Sequence, residues 1–363
     1  MITTLDIRRD YPAPAYGKCP LPEDLRNGIV ARMPNHLGDA MMALPALMQL
    51  KKMLSPELAL FVIAPASQKK LYAALPFVDG FAGLAKPHRM WSAGELYNLR
   101  KMRCGAGILF NNSFRDALCM RLAGIPALYG SDRRMRKLVL THAFNYPPRP
   151  KNRAAEIHQG NRLLQMVYAL GAPEWDGEFP EFILPKNIDG CSAATAECCR
   201  HGKLMTIAPG AAYGAAKRWP DSCFKKIAEL WIAEGGKVAV VGTPEEKEIA
   251  ELVVSGLDED KCVNLCGKTP FDELMLLLKS SATIVANDSG IMHLGAALGT
   301  PGVAVFGPTD HTATGPISSK WQLVCTGEKC GPCFKRVCPK NDPVCMKSIT
   351  PQEVYDAVKK SLC

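Results

Sequence analysis

From Gly28 onward the chain alternates short apolar runs of strand length with longer runs of helical period. GIVARMP (28–34) predicts a buried strand, followed by a short loop and a helix from about Asp39 to Leu54. LALFVIAP (58–65) predicts the next strand, with a helix near Gln68–Leu75. GAGILFNN (105–112) and RDALCMRLAG (115–124) make a third strand–helix unit. Strands alternating with helical runs predict a parallel sheet covered by helices.

A second series begins after the Pro-, Asp- and Gly-containing stretch 171–190. Its strands are LMTIAPG (204–210), KVAVVGTP (237–244), KCVNLCG (261–267), TIVAND (283–288) and PGVAVFGPT (301–309). Helical runs at 221–236, 245–257, 271–281 and from about Gly290 separate them. The last periodic segment is 351–362, with Thr350 placed to cap it and Pro351 in its first turn. Residues 1–27 carry Pro12, Pro14, Pro20 and Pro22 and read as an irregular extension. The expected organisation is that extension, a Rossmann-like domain over 28–185, a second over 186–350, and a C-terminal helix over 351–363. The fold class is α/β, two parallel sheets facing a cleft. In such open sheets ligands sit beyond the carboxyl ends of the strands, so the loops there are where chemistry belongs.

Composition narrows the class. At 363 residues, 47% hydrophobic and 22% charged, the chain is an ordinary globular protein large enough for two cores. No run approaches the ~18 apolar residues of a membrane span. Asp6, Arg8, Arg9 and Asp10 occupy the place of a signal peptide's apolar region, so a cytoplasmic protein with reduced thiols is expected. The net charge of +9 is concentrated: residues 86–165 hold fifteen Lys or Arg against four Asp or Glu. Arg133, Arg134, Arg136 and Lys137 are its centre, with Arg149, Lys151 and Arg153 following. Such a localised surplus points to an anionic partner, whether phosphorylated lipid at a membrane surface, nucleic acid or a phosphate-bearing substrate.

Three segments carry candidate chemistry. In RMPNHLGDAMMALPAL (32–47), Asp39 lies where a strand turns into a helix. It suits an N-cap, and it equally suits a general base at the mouth of the unit. No G-x-G-x-x-G is present, which leaves a dinucleotide site in this half unsupported. In APGAAYGAAKRWP (208–220), small residues let the backbone approach a ligand before Lys217 and Arg218 arrive together. A fixed cation there would stabilise a departing diphosphate. In VANDSGIMHLGAALGTPGVAVFGPTD (285–310), Asp288 ends a strand, Ser289 and Gly290 turn, and His293 follows on the first helical turn. Unpaired amides at a helix N-terminus bind phosphate.

Together these segments resemble the bacterial lipopolysaccharide heptosyltransferases, glycosyltransferase family 9, and within it the heptosyltransferase II branch. The similarity runs through R-x-P-N-x-x-G-D-A-x-M-A-L-P, P-G-A-x-Y-G-x-A-K-R-W-P and N-D-S-G-x-M-H with G-P-T after it, and covers most of 28–360. The resemblance implies a metal-independent, inverting GT-B enzyme without a cofactor, its donor ADP-L-glycero-D-manno-heptose. The C-terminal half would bind donor and the N-terminal half acceptor. Asp39 matches the family's proposed base, Lys217 the lysine near the donor phosphates, and Asp288, Gly290 and His293 the donor loop. An acidic residue after the V-G-T strand would hold the ribose, and Glu245 and Glu246 both fit. Ala211, Ala212 and Gly295 depart from the pattern and bear on donor selectivity. The implied acceptor is heptosyl-Kdo2-lipid A, met at the inner membrane's cytoplasmic face, with Arg133, Arg134 and Arg136 as its contacts.

Cys325, Cys330, Cys333, Cys338 and Cys345 crowd together, but with irregular intervals and a single C-x2-C pair; no metal site is expected. The rivals are an epimerase or transferase for another nucleotide sugar, and a non-catalytic donor-binding module. A module that had lost catalysis would not be expected to keep Asp39, Lys217 and Asp288 together. Nucleic acid is not an expected partner, because the basic segment is not interleaved with stacking aromatics.

Overall fold

The computed structural model describes residues 2–4, 19–145, 158–212 and 214–362. Arg149, Lys151 and Arg153 of the basic segment lie outside the described residues. The chain divides into two compact units. One takes in β1 (Ile2–Thr4) together with Leu184–Cys363; the other is the intervening stretch, up to Ile183.

In the unit ending at Ile183 the order is β2 (Gly28–Arg32), α1 (Leu37–Lys52), β3 (Ala59–Pro65), α2 (Lys69–Ala73), β4 (Gly80–Leu84), α3 (Ala93–Met102) and β5 (Ala106–Leu109). It continues with α4 (Phe114–Leu122), β6 (Ala127–Ser131), β7 (His142–Phe144) and α5 (Gln159–Ala169). The six strands run β4-β3-β2-β5-β6-β7, all parallel. β2 lies inside the sheet and all five of its residues are buried, which is why it reads as an apolar run without alternation. Helix α1 is buried from Ala40 through Leu50 on every face, so its sequence lacks a polar stripe.

The other unit continues with α6 (Ala193–Arg200), β8 (Leu204–Ala208), α7 (Asp221–Ala233), β9 (Lys237–Val240), α8 (Lys247–Val254), β10 (Cys262–Asn264) and α9 (Phe271–Ser280). Then come β11 (Thr283–Asn287), α10 (Gly290–Ala297), β12 (Gly302–Phe306), α11 (His311–Thr314), β13 (Trp321–Cys325), α12 (Val344–Lys347) and α13 (Pro351–Ser361). The strand order is β1-β13-β12-β11-β8-β9-β10, parallel except for β1. Met205, Ile207, Trp219, Phe224, Trp231 and Val285 belong to one core with Val354 and Val358 of α13. That helix therefore belongs to this unit's core and is no separate element. It starts as expected: Thr350 accepts from the Glu353 amide while the Glu353 carboxylate accepts from Thr350.

Residues 1–27 are not irregular throughout. Ile2–Thr4 pair antiparallel with β13, Ile2 opposite Val324. Three consecutive β-branched residues suit an extended edge, and the β13 backbone offers an open ladder for them.

Candidate active site

The donor-side candidates converge at the carboxyl ends of β8, β9 and β11. Asn287, the last residue of β11, ties the loop after β8 in place. Its Nδ2 donates to the carbonyl of Pro209 (2.7 Å) and its Oδ1 accepts from the Trp219 amide (3.0 Å). The Trp219 indole is buried and donates to the Ile349 carbonyl (2.9 Å), closing the far end of the loop. Lys217 is held between these two anchors. Its Nζ donates to Asp288 Oδ2 at 2.6 Å, the lysine side chain 12% exposed and the aspartate 6%. Thr309 Oγ1 donates to the same carboxylate oxygen at 2.7 Å. Arg218 is half-buried beside it, and its Nε has no partner among the described residues.

Ser289 caps α10 in an extended conformation without a side-chain hydrogen bond, and its buried Oγ has no partner among the described residues. Gly290 opens the helix, and His293 is buried within its first turn. The helix amides, Ser289 and the Lys217–Asp288 pair are thus at the end of one strand, an arrangement suited to a phosphate. Gly295, which departs from the family pattern, answers to packing: a Cβ there would fall 2.5 Å from Ile284 Cδ1 and 3.2 Å from Trp321 Cζ2.

Of the two glutamates the sequence left open, Glu245 is exposed and Glu246 buried. The Glu246 carboxylate accepts from the Thr243 amide at 2.9 Å, and a Cβ on Gly210 would overlap it. Glu246 therefore stands against the loop that carries Lys217, and Gly210 is the residue that lets it. The cysteine-bearing stretch touches that loop and the one after β12. The Arg336 carbonyl accepts from the Ala216 amide at 3.1 Å, and the Phe334 amide donates to the Pro308 carbonyl at 2.8 Å. Burial pushes the Cys345 thiol up, and Cys330, Cys333 and Cys338 push the same way. Among the described residues no group of three or more His, Cys, Asp or Glu side chains is arranged to hold a metal ion.

In the other unit Asp39 is the third residue of α1, and the N-cap is His36. The carboxylate lies in the first turn and gains from the positive end of the helix dipole. It is half-buried, with Gln159 Nε2 at 3.4 Å from its Oδ1. The loop before it is fixed by a buried network that the sequence reading missed. Arg32 and Asp116 are both fully buried, Nε to Oδ2 2.8 Å. Arg32 also donates to Asn35 Oδ1 (2.5 Å) and to the Met33 carbonyl, while Asn111 and Arg115 donate to Asp116 at 2.7 and 3.1 Å. Burial pushes the Arg32 guanidinium down and Asp116 opposes that shift. The arginine of R-x-P-N was visible, but its partner lies 84 residues on and has no motif of its own.

Of the three arginines expected to meet an acceptor, Arg133 and Arg134 are exposed, but Arg136 is fully buried. It donates to the Asn111 carbonyl, Asn112 Oδ1 (2.9 Å), Ser131 Oγ and the Arg133 carbonyl (3.3 Å). A guanidinium committed to four acceptors inside the fold cannot reach a ligand, so Arg136 is an anchor of the β6–β7 turn.

Two α/β units, each on a Rossmann-like sheet that is parallel except for β1, are the architecture of the GT-B class of glycosyltransferases. The chain belongs to glycosyltransferase family 9 (heptosyltransferase), whose model matches residues 97–343. It is 28% identical over 304 residues to lipopolysaccharide heptosyltransferase 2 of Escherichia coli K12, covering 80% of this chain and 86% of that protein. It is 29% identical over 308 residues to lipooligosaccharide heptosyltransferase 2 of Haemophilus influenzae, with the same coverage. The E. coli ADP-heptose LPS heptosyltransferase II structure superposes with a TM-score of 0.74 at 26% identity, covering 92% of this chain and 98% of that one. A family 9 structure from Veillonella parvula reaches a TM-score of 0.78 at 20% identity, over 94% and 99%, which speaks for the fold.

Proposed function

We propose that the protein transfers heptose from ADP-L-glycero-D-manno-heptose to the inner core of lipopolysaccharide, on heptosyl-Kdo2-lipid A, with inversion and without a cofactor. The observation that carries the reading is Lys217 paired to Asp288 at the β11 end, beside the amides of α10, in a chain of family 9. An acceptor hydroxyl attacks the anomeric carbon and Asp39 takes its proton. The bond from that carbon to the diphosphate oxygen breaks, and its electron pair leaves with ADP. Lys217, with Arg218 close by, and the helix amides after Ser289 stabilise the charge that develops on that oxygen, with His293 assisting. Glu246 holds the ribose. Arg133 and Arg134 meet phosphates of the acceptor, an encounter at the inner membrane's cytoplasmic face. The association we propose is peripheral; among the described residues no helix is long and apolar enough to cross a membrane.

The test offers the purified protein ADP-heptose and UDP-sugars with core-truncated lipopolysaccharide and identifies the nucleotide released. ADP with heptose on the acceptor is expected; UDP, or an epimerised donor without transfer, overturns the reading. Asp39→Asn is expected to abolish turnover and leave donor affinity nearly intact, measured by calorimetry. Equal loss of both would remove Asp39 from the base role.

A further inference from the structure

The β6–β7 turn is built to hold two apolar side chains out in solvent. Met135 is 69% exposed and Leu138 68%, the most exposed large apolar residues of their unit among those described. Neither position is a floppy tip. Arg134 and Met135 take φ of 57° and 59°, the left-handed region that L side chains with a Cβ avoid. Two such residues in succession persist only where the surroundings impose them. Here the imposing group is Arg136, buried beneath the turn and bonded to Asn111, Asn112, Ser131 and Arg133. The one-turn helix 136–138 then closes through the Leu138 amide to the Met135 carbonyl (3.2 Å), with Leu140 buried behind it. Arg133, Arg134 and Lys137 are exposed around the two apolar side chains, and no carboxylate lies between Arg133 and Asn145.

We propose that this turn is an interfacial wedge: Met135 and Leu138 enter an anionic lipid bilayer while Arg133, Arg134 and Lys137 engage its headgroups. Exposed apolar residues rimmed by cations mark membrane or protein contacts. The size favours lipid. A stable protein interface needs roughly 20–30 residues a side, whereas an interfacial anchor needs only a few apolar groups plus attraction to anionic headgroups. The proposal shares with the function above the membrane encounter and the two arginines Arg133 and Arg134; Met135, Leu138 and Lys137 belong to it alone, and none of its residues takes part in the transfer step.

The full-length protein is co-sedimented with vesicles of phosphatidylglycerol and phosphatidylcholine, and with phosphatidylcholine alone. Binding to the anionic vesicles is expected, weakened as salt rises. The double variant Met135→Ser, Leu138→Ser is expected to lose about tenfold or more in partition, with its melting temperature unchanged because both side chains are already in water. A variant carrying Leu138→Trp is expected to shift its emission to the blue on adding anionic vesicles and to be quenched by brominated lipid. No binding by the parent, or undiminished binding by the double variant together with no shift of the tryptophan, overturns the wedge. Turnover on a deacylated, soluble acceptor separates the two claims: it tests the chemistry alone, and the double variant is expected to retain it.

Discussion

Arg32 with Asp116 and Lys217 with Asp288 are both cation–carboxylate pairs at the carboxyl end of a parallel sheet, one in each unit, and they are made for different purposes. The first is sealed. Both partners are fully buried, the guanidinium also serves Asn35 and Met33, and the carboxylate also serves Asn111 and Arg115. Arginine suits this, since its planar fork satisfies several acceptors at once. The second keeps an edge open to solvent. Lysine is a compact charge on a flexible stem, and Asp288, itself bonded by Thr309, holds it at the β11 end where the proposed function has a diphosphate arrive. A sealed pair contributes shape; an open one retains a charge that a ligand can recruit.

That difference can be broken experimentally. Asp116→Ala strands the Arg32 guanidinium without its partner and is expected to cost about 3–5 kcal/mol of stability, read in chemical denaturation. Donor affinity in whatever remains folded should be little changed. Lys217→Ala is expected to do the reverse: a melting temperature close to the parent's and kcat lower by about 10²–10³-fold in steady-state turnover. Equal stability losses in the two variants would erase the distinction. Gly210→Ala pushes a methyl group into the Glu246 carboxylate and is expected to cost about 1–3 kcal/mol by overpacking, with donor KM rising because the carboxylate is displaced. The smallest effect belongs to Thr309→Val. Loss of one hydrogen bond to Asp288 of about 1 kcal/mol predicts a rise of roughly fivefold in donor KM, with Thr309→Ser restoring it.

Most inner strands of each unit were legible because they are buried on both faces, although the inner strands β6 and β13 were not read. β2, β8, β11 and β12 appear as apolar runs at nearly their observed bounds. Of the edge strands, β10 was read within 261–267, and the other three were not. β4 is GFAGL, β7 is three residues long, and β1 precedes a proline-rich stretch that overrode it in the reading. Among site residues, Lys217, Asp288 and His293 lie in compact segments where spacing carries the signal. Glu246 could not be told from Glu245, because which one turns inward depends on the one-turn helix 244–246 and on the room left by Gly210. Arg136 was misjudged by the same logic that picked out Arg133 and Arg134. Four basic residues within 133–137 look alike in one dimension, and only the folded turn shows that Arg136 is the one inside.

The pairing of β1 with β13 has a practical consequence for dissecting the molecule. A fragment starting at Leu184 holds β8 to β13 and the helices around them, yet it lacks the three residues that occupy the outer ladder of β13. Such a fragment presents free amides and carbonyls along WQLVC, an invitation to self-association. Supplying Ile2–Thr4 on a short leader, or placing a lysine at Gln322 on the vacated edge, would be the first remedy to try. A fusion partner attached directly before Ile2 would bear on the sheet of the unit furthest from it in sequence.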